Sequence, residues 1–221
     1  MRKLHRMTEP VPLRDEAPNL TQQWEAKATT APTADLYWPA AVREATLPRL
    51  MKQTENHCSI CDGWPVEGIS KDEIEHFVPK KKPAGALEPD TFFRSRAYAW
   101  RNLFYICSCC NGEKLAQWNP LLLKPDATLA DDGYDYEFAL YFECDRRSGK
   151  LHPWRHASVA DKERAETTIR LYGLNEKSRP LWRREQWHKW RKDGCSDQKM
   201  HRRPYRFFLE WQPPSAPATP N

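Results

Sequence analysis

Apolar residues recur at helical spacing in most segments of this chain and alternate at strand spacing in one, which predicts several helices and little sheet. Helical pieces are expected over 20–28 and 40–52, near 92–100, and from Asn111 to a stop before Pro120. The prolines at 10, 12 and 18 predict an irregular start. The alternation Tyr134-Asp135-Tyr136-Glu137-Phe138-Ala139-Leu140-Tyr141-Phe142, followed by Arg147-Ser148-Gly149, reads as a hairpin. Ser158, with Asp161 three residues on, caps a helix expected to close at Gly173. A further helix, capped by Asn175 or Ser178 with Pro180 in its first turn, is expected to run through Trp190. The proline-rich end, 212–221, is expected to be disordered.

Composition narrows the class. The chain has 221 residues and ten tryptophans, enough apolar bulk for a packed interior. No apolar run approaches the roughly 20 residues that span a bilayer, and the first residues lack the apolar core of a secretory leader, so a cytoplasmic protein without membrane contact is expected. Seven cysteines in a reducing compartment point to metal binding and spare thiols before disulfides. The formal charge of +5 is uneven: residues 179–206 carry ten Lys or Arg against three acids, which leaves about −2 for everything else. In that segment Arg183, Arg184 and Lys189 are interleaved with Trp182, Trp187 and Trp190, a mixture suited to phosphate contact and base stacking and equally to a solvated helix face. Exposed tryptophans and arginines there would also suit a protein interface.

The chemistry concentrates between two knuckles, Cys58-Ser59-Ile60-Cys61 and Cys107-Ser108-Cys109-Cys110. Each C-x2-C turn can direct two sulfurs at one ion, and two turns close a tetrahedral structural zinc site. Cys109 could replace either neighbour; Cys107 and Cys110 are taken as the ligands because Asn111 then follows the last of them directly. Within the insert, His76 has a carboxylate neighbour, Glu75, and a neutral imidazole there can act as a general base. Glu75 and Asn111 offer hard oxygen ligands suited to Mg2+ or Mn2+. Asn102 is expected to brace the loop that carries His76, Lys114 to face a scissile phosphate, and Lys80, Lys81 and Lys82 to grip flanking ones.

At Cys58, Cys61, Glu75-His76, Asn102, Cys107, Cys110, Asn111 and Lys114 the chain resembles the HNH endonuclease family. The resemblance implies a ββα-metal core over 53–125 with a structural four-cysteine zinc site; with the N-terminal helical extension read over 1–52 and the hairpin and C-terminal helical region over 126–211, an α+β fold is expected. The resemblance further implies that His76 is the general base, that Glu75 and Asn111 hold the catalytic divalent ion, that Asn102 supports the loop, and that the products carry 5′-phosphate and 3′-hydroxyl ends. The order of Met1-Arg2-Lys3-Leu4, Ile74-Glu75-His76-Phe77-Val78-Pro79-Lys80, Trp100-Arg101-Asn102-Leu103 and Thr168-Ile169-Arg170-Leu171-Tyr172-Gly173-Leu174-Asn175 is similar to the PtuB-type HNH effectors of Septu and retron-linked anti-phage systems. That narrower likeness implies an ABC-like ATPase partner of the PtuA type, with the C-terminal region as its docking surface or as a nucleic-acid groove. DNA, RNA and tRNA all remain open as substrates, as does a non-catalytic zinc-dependent nucleic-acid-binding module.

Overall fold

The computed structural model describes residues 1–31, 33–69, 72–196 and 200–212; from residue 213 on, the expected disordered tail lies outside them. The chain forms two compact units, residues 4–120 and residues 121–221 together with 1–3. No helix among the described residues is long and apolar enough to cross a membrane.

In the unit of residues 4–120, α1 (Val11–Thr30), α2 (Ala40–Thr54) and the short α3 (Val66–Ile69) precede β1 (Asp72–His76), α4 (Asp90–Arg94), β2 (Leu103–Cys107) and α5 (Ser108–Lys114). Residues 1–10 are irregular as expected, but the helix starts earlier than 20, at Val11, with Pro10 at its N-cap. A proline in the first helical turn lacks only an N–H that would have had no partner, so it starts a helix as well as it breaks one; Pro18 is carried inside the same helix. The helix expected near 92–100 is one short turn, α4, followed by a 3-10 turn at Trp100–Asn102.

β1 and β2 pair antiparallel, with Glu73 opposite Ile106, Glu75 opposite Phe104 and His76 opposite Leu103. Every residue of β2 is buried, and α2, α3 and α5 all pack against it. That explains its unbroken run Leu-Phe-Tyr-Ile-Cys: a strand covered on both faces has no polar side to show. α5 starts at Ser108, three residues earlier than the expected Asn111, because the second cysteine knuckle forms the helix's first turn; it ends after Lys114, with Leu115 at φ 50°.

The second unit contains α6 (Leu129–Asp132), α7 (Phe138–Tyr141), β3 (Phe142–Cys144), β4 (Leu151–Pro153), α8 (Val159–Leu171), α9 (Arg179–Lys192) and α10 (Arg206–Glu210). Its hairpin is shorter than the alternation predicts. Only β3 and β4 pair, and residues 138–141 coil into a helical turn in which Phe138 and Tyr141 are buried. The connection 145–150 is tied by the Asp145 carboxylate, which accepts from Arg147 N and Ser148 Oγ. Gly149 closes it at φ +77°, and a Cβ there would lie 1.8 Å from the carbonyl oxygen of Pro180, so the approach of α9 to the turn requires glycine. Ser158 Oγ caps α8 by accepting from Asp161 N at 3.1 Å, and α9 starts after Ser178 with Pro180 in its first turn.

α9 corrects two expectations. Arg183 is fully buried, donating from Nε to Gly149 O at 2.7 Å, from Nη1 to Leu174 O at 2.8 Å and from Nη2 to Asn175 Oδ1 at 2.9 Å. Its guanidinium joins the helix to the hairpin turn and is not available to nucleic acid. Trp190 is buried with Met200 and Leu209, and Trp187 packs half-buried against that cluster, so this pair belongs to the fold and does not form an exposed interface. Trp182 is exposed.

Candidate functional site

The two knuckles meet. The four Sγ atoms of Cys58, Cys61, Cys107 and Cys110 all lie within 4.8 Å of one another and all four residues are buried, with Cys61 Sγ 3.7 Å from Cys107 Sγ. A tetrahedral ion with metal–sulfur bonds of about 2.3 Å needs sulfurs about 3.8 Å apart, so the donor set fits zinc. The first knuckle is shaped by Asp62 N donating to Cys58 O at 2.9 Å and Cys58 N to Gly63 O at 3.0 Å, while Cys107 N donates to Cys58 Sγ at 3.4 Å. His57 and Asp62, both buried and paired at 3.2 Å, close its base. Burial opposes ionisation of Cys58, but hydrogen bonds from Cys107, Cys110 and Cys61 draw its thiol well below the usual value. Cys109 is exposed and stands outside the cluster.

From this anchor α5 crosses β1, and side chains meet in two rungs. Residues 73 and 75 share a strand face, and residues 111 and 114 are neighbours on a helix face, so the two spacings match. In the first rung the Asn111 amide nitrogen donates to a Glu73 carboxylate oxygen. In the second, Lys114 Nζ donates to Glu75 Oε1 at 2.5 Å and to the main-chain oxygen of His76 at 3.1 Å. Lys114 is 0% and Glu75 5% exposed. Burial pushes the Glu75 carboxyl up and Lys114 pulls it back. Two sequence expectations change accordingly. Lys114 does not face an open phosphate site but holds Glu75 and the backbone at His76, and the carboxylate beside Asn111 is Glu73, not Glu75. Glu73 could have been found from strand alternation, since it shares a face with Glu75.

Replacing Lys114 by Met should destabilise the protein by about 3 to 5 kcal/mol, because it leaves the buried Glu75 carboxyl without its cation. Adding Glu75→Leu should recover most of that loss in a denaturant titration. A double variant as unstable as the single one would mean that the pair is not the source.

His76 Nε2 lies 2.8 Å from Ala97 O. A carbonyl oxygen only accepts, so Nε2 carries the proton and Nδ1 is left as the acceptor. Burial, with the positive charges of Lys80 and Lys114, pushes the imidazole down to about 3, which keeps it neutral at ordinary pH. The loop behind it is clamped by Asn102: its Oδ1 accepts from Val78 N at 2.7 Å, and its Nδ2 donates to Val78 O and Arg96 O, both at 2.9 Å. Phe77 N donates to Asn102 O at 2.9 Å, closing the same bridge.

A cavity of about 610 Å3 opens at this end of the sheet, lined by Glu73, His76, Asn111, Lys80, Lys81 and Trp38 among others. Trp38 comes from the segment before α2, its ring 6.4 Å from that of His76; no pattern in the sequence marks it. Lys81 Nζ donates to Ala34 O at 2.6 Å and Trp24 Nε1 to Lys80 O at 3.1 Å, so α1 and the chain after it fix the basic loop. Desolvation lowers the pKa of Lys80, and Lys82 is exposed. No protein-family model matches this chain, and no curated protein does.

Proposed function

We propose that this chain is a metal-dependent HNH-type endonuclease that hydrolyses nucleic-acid phosphodiester bonds. The observation that carries the reading is one cleft holding a neutral imidazole with a directed acceptor nitrogen beside a carboxylate–amide pair, Glu73 and Asn111, on a strand–strand–helix unit whose helix starts in a tetra-cysteine knuckle. On this reading β1, β2 and α5 are the ββα core, and the cysteines hold structural zinc.

Nδ1 of His76 takes the proton of the attacking water, while the Nε2–H bond to Ala97 fixes the ring's tautomer and direction. Asn102 keeps that direction constant by clamping Val78. Glu73 and Asn111 would hold a hydrated Mg2+ or Mn2+, since a carboxylate and an amide offer the hard oxygen donors such an ion takes. When bound, such an ion neutralises charge on the phosphate and on the leaving oxygen. Lys80 and Lys81 at the rim favour the approach of a polyanion.

The reading is tested by incubating purified protein with plasmid DNA and with total tRNA in Mg2+. Glu73→Ala and Asn111→Ala should each raise the Mg2+ concentration needed for half-maximal cutting, while Glu75→Gln should act mainly on thermal stability. A Glu75 variant that shifts the Mg2+ requirement while Glu73→Ala does not would return the ligand role to Glu75. The same site would serve a tRNA-directed nuclease, since water is the nucleophile and a 2′-hydroxyl takes no part. The further proposal, that the protein is an anti-phage effector working with an ABC-like ATPase, rests on the sequence resemblance and is tested by co-purification with such a subunit.

A further inference from the structure

The C-terminal unit has a second cavity, about 690 Å3, lined by Arg146, Arg147, Arg184, Glu185, Trp187, His188 and Arg191. Four guanidiniums face one carboxylate there. Two of them come from the hairpin turn and two from α9, elements brought together by Gly149 and the buried Arg183. Among the described residues no ion pair engages Arg147, Arg184 or Arg191. Arg146 is held in place, its guanidinium carbon 3.8 Å over the Trp187 ring and its Nη2 donating to Trp211 O at 2.6 Å. Yet its buried Nε has no hydrogen-bond partner. Converging like charges repel, and an anionic ligand rich in acceptors relieves that repulsion while giving the guanidinium N–H groups of Arg147, Arg184 and Arg191 partners.

We propose that this pocket is a phosphate-binding site for the backbone of a nucleic-acid strand. It deepens the nucleic-acid reading given above and lies in the unit that does not contain the His76 cleft. Guanidinium forks match phosphate oxygens in shape and charge. Arg184, His188 and Arg191 recur at four and three residues along α9, a stripe spanning about 10 Å at 1.5 Å per residue, longer than one phosphate group needs. A continuous strand therefore fits better than a free monophosphate. Since Arg146 already covers Trp187, contact is with phosphates and carries little base preference.

The test uses the full chain with His76→Ala to prevent cutting, without added Mg2+, and a fluorescent single-stranded DNA of about 20 nucleotides at about 0.1 M salt. Arg147→Gln with Arg191→Gln, both exposed positions, should weaken binding at least about tenfold and lower the slope of log affinity against log salt by about 1.4. Lys162→Gln with Arg170→Gln on α8, an equal change of charge in the same unit, should stay within about twofold of the parent. Unchanged affinity in the pocket variant overturns the proposal, as does an equal loss in the α8 variant. Displacement of the strand by micromolar ATP would assign the pocket to a free nucleotide and overturn it too. Because the readout is binding alone, a protein that proves not to cut leaves this proposal standing, and one that cuts but binds normally with the pocket altered removes only this proposal.

Discussion

Replacing His76 by Ala is expected to lower the cleavage rate by about 10^2 to 10^4 while strand pairing, metal content and nucleic-acid binding stay intact, because a positioned general base is the only thing removed. The largely buried ring makes one hydrogen bond, to Ala97, and the loop around it is held independently by Asn102 and Lys114. The pH dependence separates the proposed base from an ordinary surface histidine. Burial, Lys80 and Lys114 hold its pKa near 3, against 6.5 for the free side chain. Cutting by the wild type should therefore not halve as pH falls through about 6.5. The same shift has a sign for stability: the unfolded chain takes up a proton near 6.5 and the folded one does not, so the contribution of a neutral His76 is full above 6.5 and is lost as pH falls toward 3. His76→Ala should lack that loss in acid melts. Wild-type rates from the variant would place the base elsewhere.

Removal of the metal, or Cys58→Ser or Cys110→Ser, should unfold the unit of residues 4–120. Structural zinc contributes on the order of 10 kcal/mol or more in small motifs. Here the cluster joins the segment after α2 to the end of β2 and the first turn of α5, and the polar rungs Asn111–Glu73 and Lys114–Glu75 hang from that turn. A chelator titration followed by circular dichroism should show loss of structure together with release of one zinc per chain. Well-folded protein with no zinc by metal analysis would refute this, whereas Cys109→Ser, at an exposed thiol outside the cluster, should change neither melting nor metal content.

The cysteine cluster was legible because ligand spacing is a local code: two C-x2-C turns name their own partners, although the helix expected to begin at Asn111 begins inside the second turn, at Ser108. α8 and α9 were legible for the same reason, a cap and a proline standing at fixed offsets. What the sequence hid was tertiary. Lys114 and Arg183 read as free charges because nothing local says that a cation is buried. Their partners, Glu75 for one and three oxygens near the hairpin turn for the other, are supplied by elements far along the chain or across a turn. Adjacency to His76 points to Glu75 in the sequence, whereas the pairing of strand and helix spacings puts Glu73 beside Asn111. The alternation at 134–142 suggested a strand, but burial of Phe138 and Tyr141 on one side is met by a single helical turn.

α5 is seven residues long, too short to hold a helix in isolation. Its conformation depends on Cys107 and Cys110 at one end and Lys114 at the other, and Cys107 lies 46 residues after its neighbour Cys61. During synthesis the first two thiols must therefore wait, as an incomplete half-site, until the whole insert and the second knuckle have left the ribosome. The cleft is assembled in one late step, and a chain interrupted before Lys114 carries His76 with no site around it.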